Sequence, residues 1–222
     1  MKRLVVDTAN LLFRVASAHG KYNGGPDVDP KDQAGLAMHM ALLSLRSQYN
    51  KVKPDQVAVT FEGSANWRKA WTRGERVETP VSKKLYKGNR VKDDSMIPFF
   101  ELIKAFEDLA REHTSLVCLS NPALEGDDVF SGYVRKYTAL GDEVIGLSDD
   151  KDFVTLLQLP NFKLVRPDGT YRGKDKEGAV IDPKYFMYEK AFRGDSGDNV
   201  IPAFPRVRAT LWHYPNFILH IS

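Results

Sequence analysis

The chain has 222 residues, a mass of 25.1 kDa, a formal net charge of +3 and 42% hydrophobic residues, which suits one α/β domain or one domain with a short appendage, able to bury roughly 70% of its unfolded surface without a covalent staple. The single Cys118 excludes an internal disulfide, and with five scattered histidines it offers no zinc-ligand spacing. No run of about 18 apolar residues exists to span a membrane, and no signal-peptide cleavage pattern follows MKRLVVDTANLLF, so a soluble, cytoplasmic protein is expected.

In chain order, Leu4–Val6 is a short β-branched run ending at Asp7, the signature of a buried parallel strand. Thr8 to Ala18 opens a helix, with Thr8 or Asn10 as its cap, and residues 20–30 form a turn-rich loop. Gln33 to Tyr49 carries Leu36, Met40, Leu43 and Leu45 at helical spacing. Gln56–Phe61 reads as a second strand closed by Glu62-Gly63. Residues 64–94 have no clean apolar period and predict a mobile loop or irregular helices. Pro98 to Glu112 is amphipathic through Phe99, Leu102, Ile103, Phe106, Leu109 and Ala110. Ser115–Leu119 is a third strand, Asp127 to Tyr137 a helix, and Glu143–Leu147 a fourth strand ending in Ser148-Asp149-Asp150. Phe153–Leu159 reads as a short helix and Lys163–Val165 as a fifth strand. Strands alternating with helices predict a central, mostly parallel sheet with helices on both faces.

The small net charge conceals an asymmetry. Between Trp67 and Lys92 stand nine basic residues and two acidic ones, interleaved with Trp67, Trp71 and Tyr86, so the rest of the chain is net acidic. Such a distribution points to a polyanion contact beside a separate acidic site, although a charge run is often only a solvated loop.

The acidic site has candidates at the ends of strands, where open α/β sheets gather ligands. Asp7, Glu62 and Asp149-Asp150 follow three of the strands. Glu125-Gly126-Asp127-Asp128, Asp150-Lys151-Asp152 and Gly194-Asp195-Ser196-Gly197-Asp198-Asn199 add more. Each alone also reads as a turn or a helix cap. Together they exceed what capping requires, and carboxylates crowded this way need cations because like charges raise one another's pKa. Hard divalent ions, Mg²⁺ or Mn²⁺, are the natural partners for an all-oxygen set.

Six stretches in order carry a family resemblance: V-V-D-T-A-N-L-L-F-R (5–14), V-T-F-E-G (59–63), Y-K-G-N-R (86–90), L-E-G-D-D-V (124–129), S-D-D-K-D-F (148–153) and G-D-S-G-D-N-V (194–200). With them the chain resembles the 5′-nuclease superfamily: phage 5′→3′ exonucleases, flap endonucleases and the 5′-nuclease domain of bacterial DNA polymerase I. The resemblance implies a PIN-like α/β domain over residues 1–200, with 64–94 as a basic arch or lid. It implies a shortened remnant of a helix–hairpin–helix region over 201–222. Asp7, Glu62, Glu125, Asp127 and Asp128 match the group around a first metal ion, and Asp150, Asp152, Asp195 and Asp198 the group around a second. Asp149 falls outside the D-x-D alignment, and Glu62 stands where the family usually has Asp.

The function expected is hydrolysis of DNA phosphodiesters near 5′ ends, flaps or branches, with two Mg²⁺ or Mn²⁺ ions activating water and neutralising the leaving 3′ oxygen. Lys87 and Arg90 are the candidates for gripping the scissile phosphate. Arg68, Lys69, Lys83, Lys84 and Tyr86 are candidates for DNA contact, with Tyr86 or Trp67 able to stack on an unpaired base. An RNA–DNA hybrid is a further possible substrate, and a monomer is expected. The alternatives are a catalytically silent fragment that binds branched DNA, or a PIN-type ribonuclease.

Overall fold

The apolar runs read from the sequence pair side by side in the computed structural model, which describes residues 1–22, 30–73, 85–89, 96–174 and 178–203, the side chains of 18–22 and 30–33 excepted. The strands are β1 (Lys2–Asp7), β2 (Gln56–Thr60), β3 (Val117–Leu119), β4 (Glu143–Leu147) and β5 (Phe162–Val165). They form one sheet in the order β3-β2-β1-β4-β5, every pairing parallel. The helices are α1 (Thr8–Tyr22), α2 (Pro30–Val52), α3 (Trp67–Arg73), α4 (Ile97–His113), α5 (Gly126–Ala139) and α6 (Pro183–Arg193), with a 3-10 helix at Asp152–Gln158. Two compact units result, one of Met1–Asn66 and Lys92–Ile181, the other of Trp67–Val91 and Asp182–Ser222.

The first unit holds the sheet. Strand side chains alternate between faces, so Leu4 and Val6 join Leu11, Leu12, Ala37, Ala41, Leu45, Leu102 and Phe106 in one core cluster. Val5, Ala58 and Gly146 sit abreast on the other face. There a Cβ on Gly146 would lie 2.7 Å from Phe130 Cζ and 2.9 Å from Phe162 Cζ. The missing side chain therefore admits two rings, and Phe130 stacks on Phe153 at 4.1 Å. Both faces covered is the condition that makes parallel strands read as continuous apolar runs.

Several expectations shift. Helix α1 continues to Tyr22 and α2 begins at Pro30, a residue pre-shaped for a first helical position, so both ends of the loop expected over 20–30 are helical, and residues 23–29 lie outside the described residues. Of the four large residues expected to mark the face of α2, only Leu45 is buried. Leu36, Met40 and Leu43 point outward, and Ala37 and Ala41 meet the core instead. The segment expected as a short helix at Phe153–Leu159 is 3-10 in geometry.

In the second unit, α3 is a seven-residue helix within the basic segment and buries no residue. Helix α6, which the sequence pattern does not predict, also buries none. Its start is marked by Asp182, whose carboxylate accepts from the backbone N–H groups of Lys184 and Tyr185 at 2.9 and 3.3 Å, and its end by Gly194 at φ +69°. Of the tail expected over 201–222, residues 204–222 lie outside the described residues. Among the described residues no helix is long and apolar enough to cross a membrane.

Candidate metal centre

Parallel pairing brings the carboxyl ends of β1, β2 and β4 to one edge of the sheet. Asp7 stands opposite Thr60, and Val6 opposite Leu147. The residues that follow, Phe61-Glu62 and Ser148-Asp149-Asp150, therefore leave the sheet beside Asp7. Asp7 is only 6% exposed. One of its oxygens accepts from the Asn10 backbone N–H at 3.1 Å, so Asp7 itself caps α1, a role expected of Thr8 or Asn10. The other accepts from Ser148 Oγ at 2.7 Å. Burial pushes the Asp7 carboxyl up to about 6; hydrogen bonds from Ser148 and Asn10 oppose the rise, and the nearby charges of Asp150 and Glu62 add to it.

Helix α5 contributes the next group. Its preceding loop is bound to the segment after β2: Gly63 N–H donates to Leu124 O at 2.8 Å and Ala65 N–H to Pro122 O at 2.8 Å. A Cβ on Gly63 would lie 2.0 Å from Asn121 O, so only glycine fits that crossing. Glu125 is buried and accepts from Asn66 Nδ2 at 2.5 Å. Glu125 and Asp128 cap the helix reciprocally, the Glu125 N–H reaching Asp128 Oδ2 at 3.2 Å. A Cβ on Gly126 would sit 3.7 Å from Glu62 Cγ, which places Glu62 against this helix start. Asp127 follows in the first turn and is exposed. The longer Glu62 is exposed as well.

On the β4 side, Asp150 Oδ1 accepts from the Asp152 N–H at 2.8 Å, and the Asp150 N–H donates to Ser148 Oγ at 3.0 Å. Ser148 therefore ties Asp7 to the turn that carries Asp150. Asp149 faces away from this group and takes up three arginines, Arg14, Arg166 and Arg172.

The donor set of this edge is entirely oxygen, and its central carboxylate is buried with like charges beside it; both properties suit a hard divalent cation. Among the described residues, however, no three His, Cys, Asp or Glu side chains are arranged as they stand to hold an ion. The hydrogen bonds above give the reason: Asp7, Glu125, Asp128 and Asp150 each turn oxygens toward a local donor.

The remaining candidates belong to the second unit. Asp195 accepts from Lys190 Nζ at 2.6 Å and from the Gly197 N–H at 2.9 Å, and the Lys190 ammonium holds its carboxyl below the usual range. Tyr86, a candidate for base stacking, donates its hydroxyl to Asp198 Oδ2 at 3.0 Å. Lys87 adopts φ +53° while its N–H donates to Asp198 O at 2.8 Å, and Asn89 Nδ2 reaches Ser196 O at 2.9 Å. The Y-K-G-N and G-D-S-G-D-N stretches are thus joined backbone to side chain. Arg68 lies over the rings of Trp67 and Tyr86, at 4.9 and 5.9 Å; Lys69 is exposed on α3. Lys83, Lys84 and Arg90 lie outside the described residues.

The family model described as the 5′-3′ exonuclease, N-terminal resolvase-like domain, matches residues 2–191. The chain belongs to this family. A DNA polymerase I of Rhizobium leguminosarum is 29% identical over 218 residues, 91% of this chain but 19% of the polymerase. Flap endonuclease Xni of Shewanella piezotolerans is 27% identical over 212 residues, covering 93% of this chain and 72% of that protein. The chain thus spans about a fifth of the polymerase and under three quarters of the endonuclease. The solved structure of the T5 D15 protein co-crystallised with metal ions matches with a TM-score of 0.68 at 19% identity, covering 96% of this chain and 73% of that one. At that identity the likeness speaks for the fold, an α/β resolvase-like domain with a parallel sheet.

Within this 5′-3′ exonuclease domain, sequence reasoning passed over Ser148 and Asn66, and it offered Asn10 only as a cap, whereas the Asn10 side-chain oxygen accepts from the Asp149 N–H at 3.1 Å. A faint signal existed for Ser148 alone: a hydroxyl between an apolar strand and an acidic turn, where it can serve the neighbours on both sides.

Proposed function

We propose that the chain is a divalent-metal-dependent 5′-nuclease, acting as a 5′→3′ exonuclease or 5′-flap endonuclease that hydrolyses DNA phosphodiesters near 5′ ends or branches. The observation that carries this reading is Asp7: a buried carboxylate at the central strand end, pushed up to about 6 with Asp150 and Glu62 beside it. A protein that gains nothing from a cation there would keep such a group in water or replace it. Asp7, Glu62, Glu125, Asp127 and Asp128 are the residues that would hold one Mg²⁺ or Mn²⁺. Asp150 and Asp152 would serve a second ion, for which the family resemblance also offers Asp195 and Asp198. Bound metal supplies activation of water and neutralisation of charge on the departing oxygen.

The chain's own residues do the rest. Ser148 ties Asp7 to the Asp150 backbone and Asn66 bonds Glu125; neighbours of this kind orient metal-binding carboxylates, and an arriving ion would have to draw oxygens from these local donors. Lys87 and Arg90 would grip the scissile phosphate, and Arg68, Lys69, Lys83 and Lys84 would track the DNA backbone. Phosphate contacts carry no base code, so selection is by the shape of the DNA.

The test is cleavage of a 5′-labelled flap DNA with and without Mg²⁺, reading product length. Expected are metal-dependent products that disappear in Asp150→Ala and Asp127→Ala; full activity in either variant overturns the assignment. The absence of three suitably arranged ligands among the described residues favours a second reading, a fragment that binds branched DNA without turnover. That reading predicts flap binding in Mn²⁺ with no products. A third arm with single-stranded RNA in place of the flap separates a ribonuclease from both.

A further inference from the structure

Three arginines share a single carboxylate on the far side of the β4 turn. Arg14 reaches from α1, and Arg166 and Arg172 from a tight hairpin that follows β5. The hairpin is closed by Arg166 N–H to Thr170 O at 2.9 Å and Gly169 N–H to Arg166 O at 2.8 Å, with Gly169 at φ +90°. It stays beside the sheet through Arg172 N–H to Leu164 O at 2.9 Å. Arg172 Nη1 lies 2.5 Å from Asp149 Oδ1, and Arg166 Nε lies 3.3 Å from the same oxygen. Arg172 is 7% exposed, which makes this an interior ion pair on that side, whereas Arg14 is 40% exposed.

The position of Asp149 gives the cluster its meaning. It stands between Ser148, which serves Asp7, and Asp150, which faces Asp7. Its own N–H is taken by Asn10 Oδ1, and Asn10 is the residue whose backbone N–H caps onto Asp7. Asp149 is therefore held through its backbone N–H and carboxylate by α1 and through its carboxylate by the hairpin.

We propose that Asp149, with Arg14, Arg166 and Arg172, is a positioning lock that aims Asp150 and Asp152 for divalent-ion binding. Asp149 is not a ligand itself, and it acts through its neighbours. The inference rests on the reading of Asp150 as a metal ligand. Groups that orient metal ligands typically change affinity by about 10-fold to 100-fold when removed.

The experiment measures Mn²⁺ binding to the full chain by titration, alongside the melting temperature and the Mg²⁺ dependence of flap cleavage. Asp149→Asn is expected to raise the Mn²⁺ dissociation constant by about 10-fold or more, at a temperature where the protein remains folded, with excess metal restoring turnover. A purely structural role would lower the melting temperature and leave the Mn²⁺ constant in place. Because Asp149→Asn strands the interior Arg172 and can cost folding, Arg14→Gln removes the most exposed arm instead and should weaken Mn²⁺ in the same direction. Mn²⁺ constants within about two-fold of the unaltered chain in the folded variants overturn the lock. In that case loss of Mn²⁺ binding in Asp150→Ala leaves the metal-site reading standing, whereas unchanged binding in Asp150→Ala removes both.

Discussion

Replacing Asp7 with Asn tests the physical claim on which the site depends. Asp7 is buried at the sheet edge, and its carboxyl rises from 3.8 to about 6 chiefly through burial. A shift of about two units corresponds to about 3 kcal/mol of differential interaction. The raised folded-state value means the native protein binds this proton more tightly than the unfolded chain does. The contribution of Asp7 to stability is therefore fully present below pH 3.8 and is lost as pH rises through about 6. In metal-free buffer Asp7→Asn should accordingly be the more stable protein at pH 8, by at most about 3 kcal/mol, because an amide carries no charge to desolvate. For a chain of this size that corresponds to a gain of roughly 6–12 °C in melting temperature. The gain should shrink toward zero between pH 6 and pH 4. Asp142, Glu143, Asp168 and Asp195, held below the usual range by their partners, act with the opposite sign in both proteins and cancel in the difference. Adding Mg²⁺ should reverse the order, since only the carboxylate gains from the ion. The assay is denaturant unfolding in EDTA from pH 4 to pH 8, repeated with Mg²⁺. A difference that stays flat across that range, or an Asn variant less stable at pH 8, would refute the reasoning.

Three further outcomes follow from the same geometry. Gly63→Ala places a methyl group 2.0 Å from Asn121 O and 2.4 Å from Pro122 O, so unfolding should show a loss of at least 1–3 kcal/mol, the usual range for overpacking; a neutral result would mean the crossing of the two loops is loose. Asn66→Ala leaves the buried Glu125 one donor short, and a loss of about 1–3 kcal/mol is expected, checked by urea unfolding at pH 7 and overturned by a change under half a kilocalorie. Tyr86→Phe removes the hydroxyl donor to Asp198, and amide hydrogen exchange should speed up over 194–200 while the sheet strands keep their protection; equal exchange in both proteins would show the contact has no mechanical role.

Much of the sheet was legible because parallel strands covered on both faces leave an unbroken apolar run, and three of the five runs lead within two residues to a carboxylate, at Asp7, Glu62 and Asp149. The convergence of Asp7, Glu62 and Asp150 followed from that rule alone. Helix α2 was harder: large residues suggested its inner face, yet Ala37 and Ala41 line the core because α1 and α4 pack close. Helix α6 left no pattern at all, since none of its residues is buried; only Asp182, Pro183 and Gly194 marked it. What could not be read were contacts joining residues far apart in the chain. Tyr86 and Asp198 are separated by 112 positions, and Asp149 and Arg172 by 23.

These contacts explain why a cap and a ligand need not be competing descriptions of one carboxylate. Capping fixes a side chain within the first turn of a helix and is worth about 0.5–2 kcal/mol. For Asp7 the carboxyl still rises to about 6 after the hydrogen bonds from Ser148 and Asn10 have opposed burial and like charge, a net of about 3 kcal/mol, so its cap does not recover the cost of keeping it there. The deficit falls on the apolar faces of β1, where Leu4, Val5 and Val6 are each at most 1% exposed. A sheet edge held in that way carries an unfavourable electrostatic term at its central carboxylate, which a cation bound there, as proposed, would offset. The caps set where each carboxylate points, the core supplies the energy to keep them together, and the remaining imbalance is what the proposed metal binding would draw on.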